Sequence, residues 1–165
     1  MSTRRRILLA ACAALAAAPL AGCGFALRKA PDFHFQSIYL LMPASDLALQ
    51  LRRQLEGTGR VRVTDDPANA DVVLESLGER RHRDVLSRNS DGEVREYLLR
   101  VRVAWRLRTG DGRELLPLSE LEREMEQSYS ESDALAKEQE AQMLFRSMQS
   151  DLVQQIMRQL ASVQP

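Results

Sequence analysis

The residues best placed to do chemistry lie near the start of the chain, at Leu20-Ala21-Gly22-Cys23. Small residues let an extended chain fit a peptidase, and a cysteine immediately after them puts a nucleophilic sulfur at the cut. The arrangement looks like a lipobox: Cys23 takes a diacylglycerol on its thiol, and the peptide bond before it is cleaved. The segment ahead of it fits that reading. Arg4-Arg5-Arg6 opens it, and an Ala- and Leu-rich apolar run follows from Ile7 to Leu20. A basic start, a short apolar run and a small-residue cut site make an export signal. The run is shorter than the ~20 residues that span a bilayer. The alternatives are an ordinary signal with a cysteine nearby and, from Thr3-Arg4-Arg5-Arg6-Ile7-Leu8, a twin-arginine signal. A single acyl chain binds a membrane only marginally, whereas diacylglycerol plus an N-acyl chain on Cys23 anchors durably. Gly24 follows the cysteine where an Asp would resemble an inner-membrane retention signal. The expected location is therefore the periplasmic side of the outer membrane.

Beyond Cys23 the catalytic inventory is thin. Cys12 falls within the signal, so removing residues 1–22 leaves 143 residues with no free thiol once Cys23 is lipidated. Disulfides, thiolate catalysis and cysteine metal sites are excluded for the exported part. His34 and His82 have no metal-ligand spacing around them, and no Gly-x-Ser-x-Gly, phosphate loop or His-Glu-x-x-His occurs. The whole chain carries 23 basic and 23 acidic residues. The signal removes three Arg and no acid, leaving 20 against 23, a net charge of about −3. That balance does not resemble a nucleic-acid binder. No enzyme is expected, and no cofactor apart from the covalent lipid.

One cation stands out. Only Lys29 and Lys137 are lysines; arginine fills every other basic position. Lys137 falls in the first turns of a predicted helix, where the dipole disfavours positive charge. An anionic ligand or partner would explain it, and so would an i,i+4 pair with Asp133.

The elements that hold these residues follow from periodicity. Residues 23–32 read as a lipidated tether and 33–165 as one domain. Phe33 to Met42 predicts a strand. Ser45 or Asp46 caps a helix whose stripe is Leu47, Leu51 and Leu55, ending at Gly57. Arg60 to Val63 is a short strand, closed by Asp65-Asp66-Pro67. A long extended segment runs from about Asp71 toward Ser87, and Arg88-Asn89-Ser90-Asp91-Gly92 is turn chemistry. From Tyr97 to Leu107 every odd position is apolar, while Arg100, Arg102 and Arg106 lie between them: one face buried, one wet. Gly110 to Gly112 form a three-residue loop, setting Thr109 opposite Arg113 and Arg108 opposite Glu114. Regular pairing beyond it puts Arg102 opposite Glu120, Arg100 opposite Glu122, Val101 opposite Leu121 and Tyr97 opposite Met125. Pro117 marks an edge or bulge. Ser130 or Ser132 opens a long helix carrying Leu144, Met148, Leu152, Ile156 and Leu160, widened by Phe145 and Val153, to about Ala161. The fold class is α/β: a two-layer sandwich with a mixed, mostly antiparallel four- to five-stranded sheet and two helices on one face.

Three stretches carry a family resemblance: Leu20 to Arg28, Ser87 to Val103, and Ala134 to Leu160. The Glu96-Tyr97-Leu98-Leu99 strand entry and Ala134-Leu135-Ala136-Lys137 helix start are the most distinctive. Together they resemble the LptE family of lipopolysaccharide-assembly lipoproteins. The resemblance implies a small α/β domain that plugs the large β-barrel LptD one to one and assists its folding. The pair passes lipopolysaccharide to the outer leaflet. The alternatives kept open are an auxiliary lipoprotein of a phospholipid or ABC-type envelope transporter and a purely structural anchor. Lipopolysaccharide carries phosphates, so Arg80, Arg81, Arg83 and Arg88, beside the predicted turn, join Lys137 as candidate contacts. The alternative for the arginines is a solvated strand end.

Overall fold

The computed structural model describes residues 31–164. The signal, Cys23 and most of the expected tether lie outside the described residues. The first strand is shorter than its apolar pattern: β1 spans Ser37–Leu41, with Ile38 fully buried and Leu41 exposed. Helix α1 follows at Asp46–Gly57, where the Ser45 hydroxyl accepts the Ala48 N–H at 3.2 Å and Leu47, Leu51 and Leu55 are buried as expected. Strand β2 is Arg62–Thr64, and a 3-10 turn, Pro67–Asn69, is capped by Asp66. Three long strands come next: β3 Val72–Arg88, β4 Val94–Thr109 and β5 Glu114–Ser128. A second 3-10 turn, Glu131–Asp133, leads into α2, Ala134–Ser162. Neither Ser130 nor Asp133 makes a side-chain capping hydrogen bond, so the expected serine cap is replaced by a backbone turn.

The sheet order is β2-β1-β3-β4-β5. β1 runs parallel to both its neighbours; β3, β4 and β5 form an antiparallel meander. The five-stranded end, where β1 and β2 widen the sheet, is called proximal here. The distal end is the three-stranded ribbon that runs on beyond it. The apolar face of β4 is buried as its alternation predicts, with Leu99, Val101, Val103, Trp105 and Leu107 all at or below 1% exposure. They pack with the α1 stripe and with Met148, Leu152, Val153, Ile156 and Leu160 of α2 in one core. Burying a side chain of this size contributes roughly 1.5–3 kcal/mol. Both helices therefore cover one face, giving the two-layer sandwich.

The proximal end is tied by backbone contacts. The Asp71 carboxylate accepts the Gln36 and Ser37 N–H groups, each at 2.8 Å, while the Ser37 hydroxyl accepts the Asp71 N–H at 2.9 Å. Two backbone donors on a carboxylate stabilise its charged form; the Gln36 bond is the largest cause holding Asp71 below its usual range. The Gly110 N–H donates to the Asp71 carbonyl at 2.9 Å. A Cβ at Gly110 would collide with the Ala70 carbonyl oxygen, so only glycine lets the hairpin tip sit there.

The β4–β5 register differs from simple continuation of the hairpin. The three-residue loop and the Arg108–Glu114 pair are as expected. Then β5 accommodates two extra residues, in irregularities between Arg108 and Trp105, where Pro117 lies. Arg102 is consequently opposite Glu122, Arg100 opposite Glu124, Val103 opposite Leu121 and Leu99 opposite Met125. Two insertions restore parity from Ser119 onward, so the side chains beyond them keep their expected faces, while between them Leu116 rather than Leu115 stands opposite Leu107. Ion pairs reach both the direct and the diagonal partner: Arg100 Nε lies 2.6 Å from Glu124 and 3.5 Å from Glu122, and Arg102 pairs with Glu122 and, at 3.7 Å, Glu120.

Candidate functional site at the distal end of the sheet

The position of the candidate cations is decided by one residue of β3. Val72 and Leu74 point into the core, but between Ser76 and Gly78 the pairing with β4 slips by one residue. Gly78 sits at φ +112°, a backbone state that side chains oppose. A single insertion reverses parity. Beyond it Glu79, Arg81 and Arg83 stand opposite Val103, Val101 and Leu99, on the helix-covered face, while Arg80 and His82 stand opposite Arg102 and Arg100 on the other. The four clustered arginines therefore do not act as one patch. Arg81 and Arg83 face α2, Arg80 faces away from it, and Arg88 lies at the β3–β4 turn.

The ribbon meets α2 through polar contacts. The Gln149 amide, 2% exposed, donates to both oxygens of Glu79 at 2.9 and 2.8 Å. Arg81 Nε donates to the same carboxylate at 2.6 Å, and its guanidinium lies 5.7 Å from the Phe145 ring centre. Arg83 donates to Glu138 at 2.8 Å and stacks 4.1 Å from the Tyr97 ring centre and 5.7 Å from that of Tyr129. Those two rings meet edge to face at 5.1 Å. Cation–π contact and a charged hydrogen bond together fix a guanidinium strongly, yet the buried Arg83 Nε has no partner among the described residues.

Lys137 faces the same end. Its Nζ lies 2.8 Å from Glu140 and 3.0 Å from the Ser128 hydroxyl. The expected i,i+4 partner, Asp133, does not pair with it; Glu140 at i,i+3 does, because Asp133 lies in the turn before the helix. The buried Gln127 amide donates to the Lys137 carbonyl at 2.6 Å, pinning the helix start onto β5. These bonds register on the acids: Glu140 is lowered chiefly by its bond from Lys137, and Glu138 by those from Gln142 and then Arg83.

The arrangement sorts the candidates by charge balance. Arg81, Arg83 and Lys137 are each paired with a carboxylate. Arg88 bonds only the Gly92 carbonyl, at 2.8 Å, and keeps its charge uncompensated among the described residues. Lys137 uses two of its three ammonium donors. A phosphate arriving here would meet Arg88 directly and would compete with Glu140 for Lys137. A depression of about 360 Å³, lined by Met42, Leu47, Gly78, Glu79 and Arg81, opens beside the β3 irregularity. Larger ones lie along β2, beside the start of α1, and between α1 and α2. Among the described residues no three His, Cys, Asp or Glu side chains come together as a metal site, and no helix is long and apolar enough to cross a membrane. Glu79, Gln149, Tyr129 and Glu140 had no place in the sequence reading. The available signal was that Arg80, His82 and Asp84 occupy the even positions on which Val72 and Leu74 are apolar, so an unbroken alternation would carry charge onto the core face.

Comparison with known proteins matches this architecture to one family. Residues 35–160 match the family model described as LptE, Lipopolysaccharide-assembly. The LPS-assembly lipoprotein LptE of Yersinia enterocolitica is 30% identical over 167 residues, covering 97% of this chain and 78% of its own. The solution structure of an uncharacterized lipoprotein B from Nitrosomonas europaea superposes with a TM-score of 0.74 at 30% identity, covering 84% of this chain and 91% of that one. A minor lipoprotein from Acinetobacter baumannii gives 0.63 at 25% identity, over 78% and 92%. The match runs from β1 to the last turns of α2, through both the packed end and the polar one, and the chain belongs to the LptE family of lipopolysaccharide-assembly lipoproteins, which work without catalysing a reaction.

Proposed function

We propose that this protein plugs the LptD β-barrel one to one, assists its assembly, and helps deliver lipopolysaccharide to the outer leaflet of the outer membrane. The observation that carries the reading is the family match across the whole domain, residues 35–160. In this reading residues 1–22 are the signal peptide, residues 23–32 the tether, and the 33–165 domain hangs from lipids on Cys23, inside the barrel lumen on the periplasmic side. The domain's build suits a plug: a rigid core at one end and a charged, cross-braced surface elsewhere.

Lipopolysaccharide phosphates would engage the distal end. Arg88 supplies an uncompensated guanidinium and Lys137 a remaining donor, with Arg81 and Arg83 held nearby by Glu79 and Glu138. Arg80, on the opposite face, is not part of that site.

Purification of the tagged full-length protein in mild detergent tests the assignment. A co-purifying barrel of LptD size, and loss of surface lipopolysaccharide on depletion, are expected. Recovery of transporter subunits instead, or of no partner, would overturn it. Mass spectrometry of the N-terminal peptide should find Cys23 acylated; a bare thiol would remove the anchor.

A further inference from the structure

We infer that the sheet face opposite the helices carries a second docking spot, built for a protein segment that presents an apolar side chain with a carboxylate beside it. Most of this face is charged and internally matched. Arg106 donates to Glu75 at 2.7 and 2.9 Å, Arg100 pairs with Glu124 and Asp84, and Arg102 with Glu122 and Glu120. Such a face offers a partner little, since each ion is already satisfied.

Two features break the pattern at one place. The irregularity in β3 sets Leu77 between Ser76 and Gly78, and the one in β5 sets Pro117 and Leu118 opposite Arg106. Both leucines are exposed, at 61% and 55%; Leu77 is the residue inserted at the row of Ala104, the one small residue among the arginines on β4, and Leu118 is inserted one row away, at Arg106. Isolated exposed leucines are ordinary. Here two separate strand insertions, on the two neighbours of one strand, place leucines on either side of β4 at adjacent rows, bordering the shallow saddle that Ala104 leaves next to Arg106. Bulges are known to re-aim side chains in this way.

The second feature is Arg80. It lies one row from the saddle, directly opposite Arg102, and makes no ion pair or hydrogen bond among the described residues. Like charges facing each other across strands destabilise the pair, and Arg102 already draws on Glu120 and Glu122. The excess positive charge beside an apolar saddle fits a carboxylate flanking an apolar anchor. The proposal rests on the barrel reading only in taking that segment to belong to the barrel's inner wall.

Photo-crosslinking from position 118 of the full-length protein in cells, with and without Arg80→Glu, tests it. The expected result is an adduct to the barrel whose mapped peptide contains Asp or Glu, reduced at least fivefold by Arg80→Glu and within twofold of normal in Arg80→Lys. Thermal unfolding midpoints should be unchanged in Arg80→Lys and no lower than the parent's in Arg80→Glu, since Arg80 makes no ion pair or hydrogen bond among the described residues and its only cross-strand neighbour is the like-charged Arg102. An Arg80-dependent adduct to another protein, with a mapped acidic peptide, would uphold the docking spot and overturn the barrel assignment. If the barrel co-purifies but position 118 gives no protein adduct, or one insensitive to Arg80→Glu, or lipopolysaccharide instead, the docking spot is overturned and the barrel assignment stands.

Discussion

At the proximal end of the sheet, β3 and β4 meet the helices through Val72, Leu74, Trp105 and Leu107, and the chain is locked by backbone bonds around Asp71 and Gly110. At the distal end the same two strands meet α2 through Glu79, Arg81 and Arg83, held by Gln149, Glu138 and a pair of tyrosine rings. A single inserted residue before Gly78 separates the two regimes. Non-directional burial tolerates no charge but needs little geometry; the polar seam needs geometry at every contact. The difference suggests a division of labour, in which the proximal end supplies stability and the distal end supplies a shaped, charged surface.

Truncations should reveal the contrast, beginning with the largest. Leu107→Ala deletes a fully buried proximal side chain and should cost about 2–5 kcal/mol in urea unfolding. A cost under ~1 kcal/mol would mean the proximal end is not the stabilising half. Gly110→Ala drives a methyl into the Ala70 carbonyl and should cost about 1–3 kcal/mol, measured the same way. Gln149→Leu leaves Glu79 with Arg81 alone. It should cost about 1–2 kcal/mol, and hydrogen exchange should quicken across residues 79–88 while Val72 to Leu74 keep their protection. Equal quickening at both ends would erase the boundary at Gly78.

The smallest effect is in pH. Asp71 is largely exposed, so its two backbone bonds are discounted for solvent, and Asp71→Asn should cost about 1 kcal/mol at neutral pH. Its folded pKa is lowered, so unfolding stability gained from the carboxylate is full above the ordinary value of 3.8 and disappears as pH falls through the lower folded value. The parent and Asp71→Asn should converge in acid; a difference that persists there would assign the effect to something other than the charge.

What was legible in the sequence tracks the same division. The β4 alternation, the α1 stripe and the α2 stripe are periodic, and all three face the core as read, fully buried except at their distal ends, where Tyr97 and Leu144 are partly buried. Pairing faces survived because β5 inserts two residues, which restores parity; the individual pairs shifted because insertions leave no periodic trace. The single insertion in β3 reversed the faces of residues 79 to 85, and with them the grouping of the arginines. Lys137 was recognisable as anomalous, but its partner was not: the turn Glu131–Asp133 moves Asp133 out of the helix, and Glu140 takes its place. Side chains such as Gln149 and Gln127 read as surface until the fold brings Glu79 and the Lys137 carbonyl to them.

The division of labour is tested most directly by where lipopolysaccharide touches the protein. A photo-crosslinking residue can be placed in the full-length chain at Ser90 or Ser132, exposed positions at the distal end, and at Arg53 on the exposed side of α1. Adducts detected by lipopolysaccharide antibody should form at positions 90 and 132, weaken several-fold in Arg88→Glu and Lys137→Gln backgrounds, and be absent at position 53. Adducts of equal strength at position 53, or none at the distal positions, would contradict the account.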